Sequence, residues 1–561
     1  MRIFLPGLLL QLALPLYGRA QTSTFVSSIP ARQALTGSLT GPIRLTFSGP
    51  VTDPAAIRVN TDLLRGQRAG MLSGAGANQV EFRPTQPFAP GERVSVSVPA
   101  SVSRPAQVLE FRAAAGRGRA VFGPPQTASP DINSYPAAVV AGDVDNDGDV
   151  DLIIGEGSRG RVCFNDGQGN FRATTRQIPL LDEAGDLRVA DFNGDGKLDI
   201  LVSSSRIASI RLNLGDGQGG FDNYATVYGG SFLDVQTAAG DFNADGLTDA
   251  IFAEAIETGT ALYLMPGTRN GAFARGEAQL LRLSARDVGV ADMDEDGDLD
   301  LLFISDTTLG ICLNDGNGKF TVGATIAVND FSGKLSVGDF TGDGHADVAC
   351  TSYNTPSVSL VPGTGTGGLR AVRNVSALSR TRQVSSGDMD GDGDLDLLVT
   401  NDRGITQVLL NDGTGQFSAA SAILIGFDSF YMADAADLNG DGILDVYTAK
   451  QVFNPNNPRG IDVFFNQPPL ITSAVAASRP SGLVLYPNPA HGQVTLELPG
   501  SLEPAQVELR DALGRLIRVM TVVAGSSGQT VPVSLTGLAP GLYVVQVHTS
   551  TWRGVQRLLV E

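Results

Sequence analysis

One nine-residue stretch gathers the side chains of this chain that could do chemistry. Residues Asp388 to Asp396 read DMDGDGDLD, with carboxylates at positions 1, 3, 5 and 9 and glycine at position 6. Carboxylates this close would repel one another strongly without a cation between them. Oxygen ligands in a flexible loop suit a hard ion, usually Ca²⁺, and glycine at position 6 allows the positive φ of a sharp turn. The stretch therefore predicts a calcium-binding loop.

The same loop occurs seven times and sets the organisation of the chain. Its copies recur every 47 to 51 residues, and they begin at Asp143, Asp191, Asp241, Asp292, Asp339, Asp388 and Asp437. Each unit also carries four strand signals, and a period near 50 with four strands is typical of a propeller blade. Because the strands alternate in direction, all seven loops are expected on one face of an all-β fold.

A second motif, Asn-Asp-Gly-x-Gly-x-Phe, marks the turn between the third and fourth strands of several units. It occurs at Asn165–Phe171, Asn314–Phe320 and Asn411–Phe417, with a variant at Leu214–Phe221. The alternation of strand direction places this turn on the same face as the metal loops. The turns between second and third strands are expected on the opposite face.

The two ends of the repeat region predict how the ring closes. The last unit stops at Ile461–Asn466 without a fourth strand, and an orphan strand, Gly118–Gly123, precedes the first loop. Pairing the two would remove the open edge strands. The economical prediction is a closed seven-bladed β-propeller over residues 117–467.

The loops with their flanking strands resemble the FG-GAP/VCBS repeat family, the fold of the integrin α-subunit propeller. The resemblance implies structural Ca²⁺, up to one ion per blade, held by loop positions 1, 3, 5 and 9 and by the backbone carbonyl of position 7. The implied side-chain ligands are Asp143, Asp145, Asp147, Asp151, Asp191, Asn193, Asp195, Asp199, Asp241, Asn243, Asp245, Asp249, Asp292, Asp294, Asp296, Asp300, Asp339, Thr341, Asp343, Asp347, Asp388, Asp390, Asp392, Asp396, Asp437, Asn439, Asp441 and Asp445. Thr341 is a neutral and poorer ligand, so the fifth site is expected to be the weakest.

Other interpretations of the loops fit less well. An EF-hand needs helices beside the loop and a bidentate Glu at position 12, where Ile154, Val202 and Val399 stand. Dockerin repeats come in pairs with helices. One alternative stays open: some loops, most of all the fifth, are Asp-Gly turns that bind no ion.

The start of the chain predicts export. A basic Met1-Arg2, an apolar run from Ile3 to Leu16 and the small residues Gly18 and Ala20 indicate a signal peptide over residues 1–20. The apolar run is shorter than a bilayer needs, and no cysteine follows the cut to carry a lipid.

Residues 25–115 carry no metal loop and predict a small β-sandwich. The elements Phe47–Val51, Phe82–Pro84 and Pro90–Glu92 resemble the bacterial Ig-like domain of the SbsA type. The resemblance implies a spacer or presentation module.

A Pro/Ala/Ser-rich linker is predicted over residues 468–482, before a terminal β domain over residues 483–561. Tyr486–Pro489, Asp511–Arg515 and Leu538–Tyr543 resemble the C-terminal sorting domain of type IX secretion cargo. The resemblance implies an Ig-like sandwich recognised by the type IX machinery of a Bacteroidetes-type bacterium, followed by release or attachment at the outer cell surface.

The repeats contain few of the residues that chemistry other than cation binding would need. His491 and His548 belong to the terminal domain, and His345 stands at position 7 of the fifth loop. Nucleophilic triads and zinc sites therefore lack their residues in the repeats. Carboxylate pairs in the loops are better explained as metal ligands than as an acid and a base. No catalytic constellation is evident, so no enzyme is expected.

The remaining composition predicts no nucleic-acid partner and supports no conclusion about cationic ones. The formal charge of −19 would be offset largely by bound Ca²⁺, and a nucleic-acid footprint would be basic. Cys163, Cys312 and Cys350 are interpreted as buried apolar residues on strands. No transmembrane segment is expected.

These features predict a secreted or cell-surface adhesion module that binds a protein or glycan through the face opposite the loops. Two alternatives stay open: a carbohydrate-active enzyme such as a polysaccharide lyase, and a purely structural surface component. The residues expected on that face are Tyr135, Arg159, Asp186, Arg188, Phe232, Asp234, Arg286, Asp287, Tyr353, Arg382, Arg403, Phe430 and Tyr431.

Overall fold

The structure is a computed structural model. It describes residues 23–64, 66–129, 136–181, 184–204, 209–229, 235–256, 259–271, 273, 276, 278–281, 285–328, 333–424, 431–450, 460–469, 484–486, 490, 492–498, 505–511, 516–522, 529–539, 541–548 and 553–560. The signal-peptide residues 1–20 and residues 470–482 of the expected linker lie outside this part of the chain. So do Tyr135, Phe232, Asp234 and Phe430.

The described residues form β-strands and one 3-10 turn, Pro54–Ala56, without an α-helix. Within them, no helix is long and apolar enough to cross a membrane. The chain divides into two compact units, Met1–Pro469 and Leu470–Glu561. The all-β prediction is confirmed.

The first unit begins with two antiparallel sheets that share one core. The sheet orders are β1-β2-β5-β4 and β3-β6-β7. Alternate residues such as Ile43, Leu45 and Phe47 point into the core between them, as the period-2 pattern requires. The strands are β1 (Phe25–Ile29), β2 (Ile43–Phe47), β3 (Arg58–Thr61), β4 (Gly70–Ser73), β5 (Gln79–Pro84), β6 (Arg93–Val98) and β7 (Gln107–Arg112). We call this part, residues 23–115, the N-terminal sandwich.

Seven antiparallel sheets follow, one for each loop. The first four contain β9 (Pro136–Gly142), β10 (Asp151–Glu156), β11 (Arg159–Asn165), β12 (Phe171–Ala173) and β13 (Ile178–Pro179); β14 (Ala184–Ala190), β15 (Asp199–Ser204), β16 (Ser209–Leu214) and β17 (Asn223–Gly229); β18 (Val235–Gly240), β19 (Asp249–Ile256), β20 (Gly259–Met265) and β21 (Gln279–Leu281); and β22 (Asp287–Ala291), β23 (Asp300–Ile304), β24 (Thr308–Asn314) and β25 (Phe320–Ala327). The last three contain β26 (Leu335–Gly338), β27 (Asp347–Thr351), β28 (Ser357–Val361) and β29 (Arg373–Ser376); β30 (Thr381–Gly387), β31 (Asp396–Asn401), β32 (Ile405–Asn411) and β33 (Phe417–Leu424); and β34 (Tyr431–Ala436), β35 (Asp445–Lys450), β36 (Gly460–Phe464) and β8 (Gln126–Ser129).

The register places every metal loop between the first and second strands of its sheet. Gly142 pairs with Asp151 and Gly387 with Asp396, so each loop closes a hairpin. Second strands such as β10, β15 and β31 are buried along their whole length, which explains their continuous apolar sequence. The first strand of each sheet packs against that of the next sheet, and β34 contacts β9. This arrangement is consistent with a propeller.

The strand that completes the seventh sheet is not the orphan segment predicted from the sequence. β8, at residues 126–129, pairs with β36. The segment 118–123 instead bonds to the residues after β36: Gly123 N–H donates to Phe465 O at 3.0 Å and Gln467 N–H to Val121 O at 2.9 Å. Pro124 and Pro125 separate the two segments, and because proline lacks an N–H the ladder resumes only beyond them.

The second unit contains two antiparallel sheets, β37-β38-β41 and β40-β39-β42-β43. Val494, Leu496, Val507 and Val545 lie in its core. Its strands are β37 (Val484–Tyr486), β38 (Gln493–Leu498), β39 (Ala505–Asp511), β40 (Leu516–Val522), β41 (Gln529–Ser534), β42 (Gly541–His548) and β43 (Arg553–Val560).

The three cysteines, Cys163, Cys312 and Cys350, are buried and free. Burial raises the pKa of Cys312 to about 12. Their interpretation as small apolar core residues is therefore confirmed.

Candidate metal centre

Each loop is anchored by a fully buried aspartate at position 9. In the sixth loop, Asp396 Oδ2 accepts the N–H of Met389 and Oδ1 accepts the N–H of Asn411, both at 2.8 Å. The same two backbone bonds occur in all seven loops. Position 9 thus joins the start of the loop to the end of the third strand.

The aspartate at position 1 shapes the turn itself. Asp388 Oδ1 accepts the N–H of Asp392, and Oδ2 accepts the N–H of Gly393, each at 3.1 Å. Gly393 has φ of 99°, a conformation that favours glycine. Every loop repeats the bond from the position-6 glycine to the position-1 carboxylate. Backbone bonds therefore preorganise the loop around its acidic groups.

Four loops bring three carboxylates within 4.8 Å of one another. The groups are Asp143, Asp145 and Asp151; Asp292, Asp294 and Asp296; Asp339, Asp343 and Asp347; and Asp388, Asp390 and Asp396. The fifth loop is among them despite its threonine. That its site is the weakest stays a prediction.

The structure does not bring all the expected ligands together. Asp147 and Asp392 lie outside the groups of their loops, as does Asp300. Asp147 and Asp392 each accept the N–H of position 7 instead. In the part of the chain that is described, the second, third and seventh loops form no group of three carboxylates. They carry Asn at position 3, and its side-chain oxygen accepts the N–H of position 5 at 2.9 Å.

The donor set fits a hard cation. It consists of carboxylate and amide oxygens, which Ca²⁺ and Mg²⁺ prefer, and the buried Oδ1 atoms of Asp292 and Asp390 have no hydrogen-bond partner. Burial raises the pKa of Asp388 to about 6 and that of Asp396 to about 8, with a further contribution from neighbouring carboxylates. A bound cation would reverse this shift by stabilising the ionised forms.

Sequence reasoning missed the role of the asparagine in the second motif. Asn411 Nδ2 donates to Leu395 O of its own loop at 3.1 Å and to Phe340 O of the preceding loop at 2.9 Å. Asn165 and Asn314 make the equivalent pair of bonds, and so does Asn466, which ends the third strand of the seventh sheet without the rest of the motif. The motif begins 14 or 15 residues after position 9 of its metal loop, and this nearly constant spacing is the signal that could have revealed the link between neighbouring sheets.

The N-terminal sandwich packs on the loop face. Leu63 O accepts the N–H of Asp143 at 2.8 Å, and Gln67 N–H donates to Asp191 Oδ2 at 3.2 Å. At the fourth loop, the Arg32 guanidinium forms an ion pair with Asp292. No pattern in the sequence signalled this arginine, because it lies 260 residues from its partner.

The repeat region holds two concave sites, one against the N-terminal sandwich and one on the face opposite the loops. A cavity of about 400 Å³ lies between the first strands of the sheets and the sandwich. There Arg188 pairs with Asp186 at 3.1 Å and Lys334 with Asp287 at 2.9 Å, so these charges are compensated within the chain. A second pocket, of about 370 Å³, contains Tyr353.

The repeat region matches a known family. The FG-GAP-like repeat matches six times, at residues 143–202, 191–252, 241–303, 292–350, 339–399 and 388–448. These matches cover more than half of the chain and include all seven loops. The chain belongs to the FG-GAP-like repeat family.

The terminal resemblance is confirmed as well. Residues 484–561 match the secretion system C-terminal sorting domain. This domain implies interaction with the type IX secretion system. The repeats and the sorting domain together indicate a secreted surface protein of the Bacteroidetes type.

Two solved structures share a distant likeness with this chain. A lectin of Agrocybe aegerita that recognises non-reducing terminal N-acetylglucosamine is 17% identical with a TM-score of 0.40, over 68% of this chain and 93% of that one. A Bacteroides thetaiotaomicron protein of unknown function is 14% identical with a TM-score of 0.33, over 80% of this chain and 99% of that one. None of the curated proteins matches the chain.

Proposed function

We propose that this protein is an exported, non-enzymatic binding module whose seven sheets form a closed, Ca²⁺-stabilised, seven-bladed propeller. The observation that carries the proposal is the difference between the two faces of the repeats. The loop face is engaged by the N-terminal sandwich through contacts such as Leu63 to Asp143 and Arg32 to Asp292. The opposite face is where a surface partner, a glycan or a protein, would bind.

Calcium has a structural role in this proposal. The position-1 and position-9 aspartates already organise each hairpin, so an ion bound there stabilises the folded chain and its binding energy becomes folding energy. Extracellular modules bind Ca²⁺ at about 10⁻⁴–10⁻³ M, which suits an exported protein. The sandwich, proposed to be Ig-like, acts as a spacer that covers the loops.

A thermal melt tests the calcium role. The calcium-loaded protein is compared with the same protein after chelation, with added Mg²⁺ as the control for ion selectivity. We expect chelation to lower the melting temperature, with recovery on adding Ca²⁺ in excess of chelator. An unchanged midpoint would contradict the structural role of calcium.

Binding arrays test the role of the opposite face. The calcium-loaded protein is applied to glycans and to surface proteins, and acidic polysaccharides are assayed in parallel for chain cleavage. We expect retention on the array without turnover. Clear cleavage would replace the binding module by an enzyme, and self-assembly without any ligand would indicate a structural surface component.

A further inference from the structure

The fifth metal loop contacts a positive charge that belongs to the chain itself. Arg370 lies in the turn between β28 and β29, and its Nη1 atom donates to Asp343 Oδ2 at 2.6 Å. Asp343 stands at position 5 of the loop and is one of the three carboxylates that the loop brings together. The guanidinium therefore neutralises part of the acidic group that the sequence predicts to hold calcium.

The backbone that carries this arginine is fixed on both sides of the turn. Arg370 N–H donates to Pro362 O at 2.8 Å, across the turn that the two residues flank. The N–H of Gly367, within the turn, donates to Met293 O of the fourth loop at 2.9 Å. Because the arginine extends from an ordered turn, less conformational freedom is lost when its side chain pairs with the loop.

Every carboxylate oxygen of the fifth loop accepts a hydrogen bond from the chain. Both oxygens of Asp339 and both oxygens of Asp347 accept backbone N–H groups. Asp343 Oδ1 accepts the N–H of His345 at 3.1 Å, and Oδ2 is the oxygen that is bonded to Arg370. The loop is thus held together by donors of the protein.

Position 3 distinguishes this loop from the sixth. Asp390, at position 3 of the sixth loop, has a buried Oδ1 atom without a hydrogen-bond partner, and so has the buried hydroxyl oxygen of Thr341 in the fifth. The charge of the ligands is one of the factors that set calcium affinity. The oxygen that remains without a donor in the fifth loop is therefore the one that carries no charge.

Arg370 opposes a bound ion through its position and through its charge. The side chains of Arg370 and Asp343 are 44% and 29% exposed, so their ion pair contributes little to stability by itself. A divalent cation on the same carboxylates would nevertheless lie close to a like charge and would compete for Asp343 Oδ2. Both effects weaken calcium binding at this loop.

The neighbouring fourth loop has a comparable arrangement. The Arg32 guanidinium of the N-terminal sandwich pairs with Asp292 at position 1 and also donates to Gln107 Oε1. Two of the four groups of three carboxylates therefore include an aspartate that is paired with an arginine. Only at the fifth loop does the arginine come from the same sheet as the loop.

We propose that Arg370 takes the place of calcium at the fifth loop, which keeps its shape without an ion. The inference rests on the proposed structural role of calcium and excludes this loop from it. Removal of calcium accordingly acts on the protein through other loops.

Equilibrium dialysis with metal analysis, carried to saturation with Ca²⁺, counts the ions bound by the full-length protein. Arg370→Ala should bind one ion more than the wild type, whereas Arg370→Lys keeps the positive charge and should bind the wild-type number. Asp343→Asn alone should leave the number unchanged. Combined with Arg370→Ala, it should abolish the additional ion, which assigns that ion to the fifth loop.

Arg373→Ala is the matched control. Arg373 begins β29 of the same sheet, and its Nη1 atom donates to Thr414 O at 3.2 Å, outside the metal loops. Its removal deletes the same charge and should leave the number of bound ions unchanged. Melting temperatures verify that every variant is folded.

The outcomes separate this inference from the proposed function. Loss of one ion in Asp343→Asn alone, no additional ion in Arg370→Ala, or an equal gain in Arg373→Ala overturns the inference and keeps the structural role of calcium. If no protein of the series binds calcium and chelation leaves every melting temperature unchanged, both fail. An ion bound by Arg370→Ala but not by the wild type supports the inference and overturns the general role of calcium.

Discussion

Aspartates at different positions of one loop have different physical roles. Asp396 is fully buried and uses both oxygens for backbone N–H groups, whereas Asp390 has a buried Oδ1 atom without a hydrogen-bond partner. The first residue serves the hairpin whether or not an ion is bound. The second is the residue that we propose as a cation ligand.

Asparagine substitutions at these two positions should therefore differ. Asp396→Asn directs an amide NH₂ at a backbone N–H donor and should cost about 1–3 kcal/mol of unfolding free energy, with or without calcium. Asp390→Asn keeps an oxygen and should leave the chelated protein unchanged while weakening calcium binding. Thermal melts with and without chelator and a calcium titration measure both. Equal losses of unfolding free energy for the two variants in chelator would contradict the different roles assigned to Asp396 and Asp390.

The pH dependence of stability should change with calcium. In the ion-free protein, burial raises the pKa of Asp396 and Asp445 to about 8, above the ordinary 3.8. Between these two pKa values the folded state binds more protons than the unfolded state, so the free energy of unfolding falls as the pH rises. The contribution of these carboxyl groups to stability is therefore complete below pH 4 and is lost as the pH rises towards 8. Ion-free protein should thus be more stable at pH 5 than at pH 8.

Calcium should invert that trend, since it lowers the pKa of its ligands in the folded state. Unfolding in urea at pH 5 and pH 8 measures the difference, with resin-stripped protein beside protein in excess Ca²⁺. Parallel pH trends in the two samples would show that the buried carboxylates do not bind the ion.

At the scale of elements, neighbouring sheets are joined by the asparagine of the second motif. Asn411 bonds two backbone carbonyls from successive loops and also accepts the N–H of Gly415 at 3.1 Å. In the first, fourth, sixth and seventh sheets, which carry this asparagine, the hairpin therefore depends on the one before it. The apolar contacts between the sheets do not specify this alignment, since they are not directional.

Asn411→Leu should destabilise the repeats by about 1–3 kcal/mol, because it leaves buried carbonyls without a donor. Asn317→Leu is the matched control, since Asn317 is exposed in the equivalent turn of the fourth sheet. Chemical unfolding measures both. If Asn411→Leu loses no more unfolding free energy than Asn317→Leu, the hydrogen bonds of Asn411 make no net contribution to stability.

At the scale of the whole first unit, the N-terminal sandwich acts on the loops that it covers. Arg32 places a guanidinium on Asp292, a position-1 residue, and Gln107 donates to Asp296 O at 2.8 Å in the same loop. A positive charge from the chain thus lies where the fourth loop would hold its ion.

Arg32→Ala should raise the calcium affinity of the fourth loop, because a competing cation is removed. Equilibrium dialysis with metal analysis should show a tighter site or one more bound ion. Arg44→Ala is the control, since Arg44 pairs with Glu81 inside the sandwich at 2.9 Å. Identical binding curves for wild type and Arg32→Ala would show that the ion pair between Arg32 and Asp292 does not weaken calcium binding at the fourth loop.

The sequence by itself determined the features that are local in the chain. The nine-residue loop carries its own potential ligands, its turn glycine and its flanking strands, so spacing alone predicted the repeat and its side chains. The alternating strands and short motifs of the terminal domain were equally local. For these features, neighbours in sequence are neighbours in space.

Only the tertiary structure decided which distant parts meet. It chose residues 126–129 over 118–123 to complete the seventh sheet, placed Arg32 on Asp292, and gathered Arg286, Tyr353 and Arg382 from three sheets into one pocket. It also showed that the position-9 aspartates are buried hydrogen-bond acceptors. Such contacts depend on how whole sheets pack, and no periodicity in the sequence relates the residues that meet in this way.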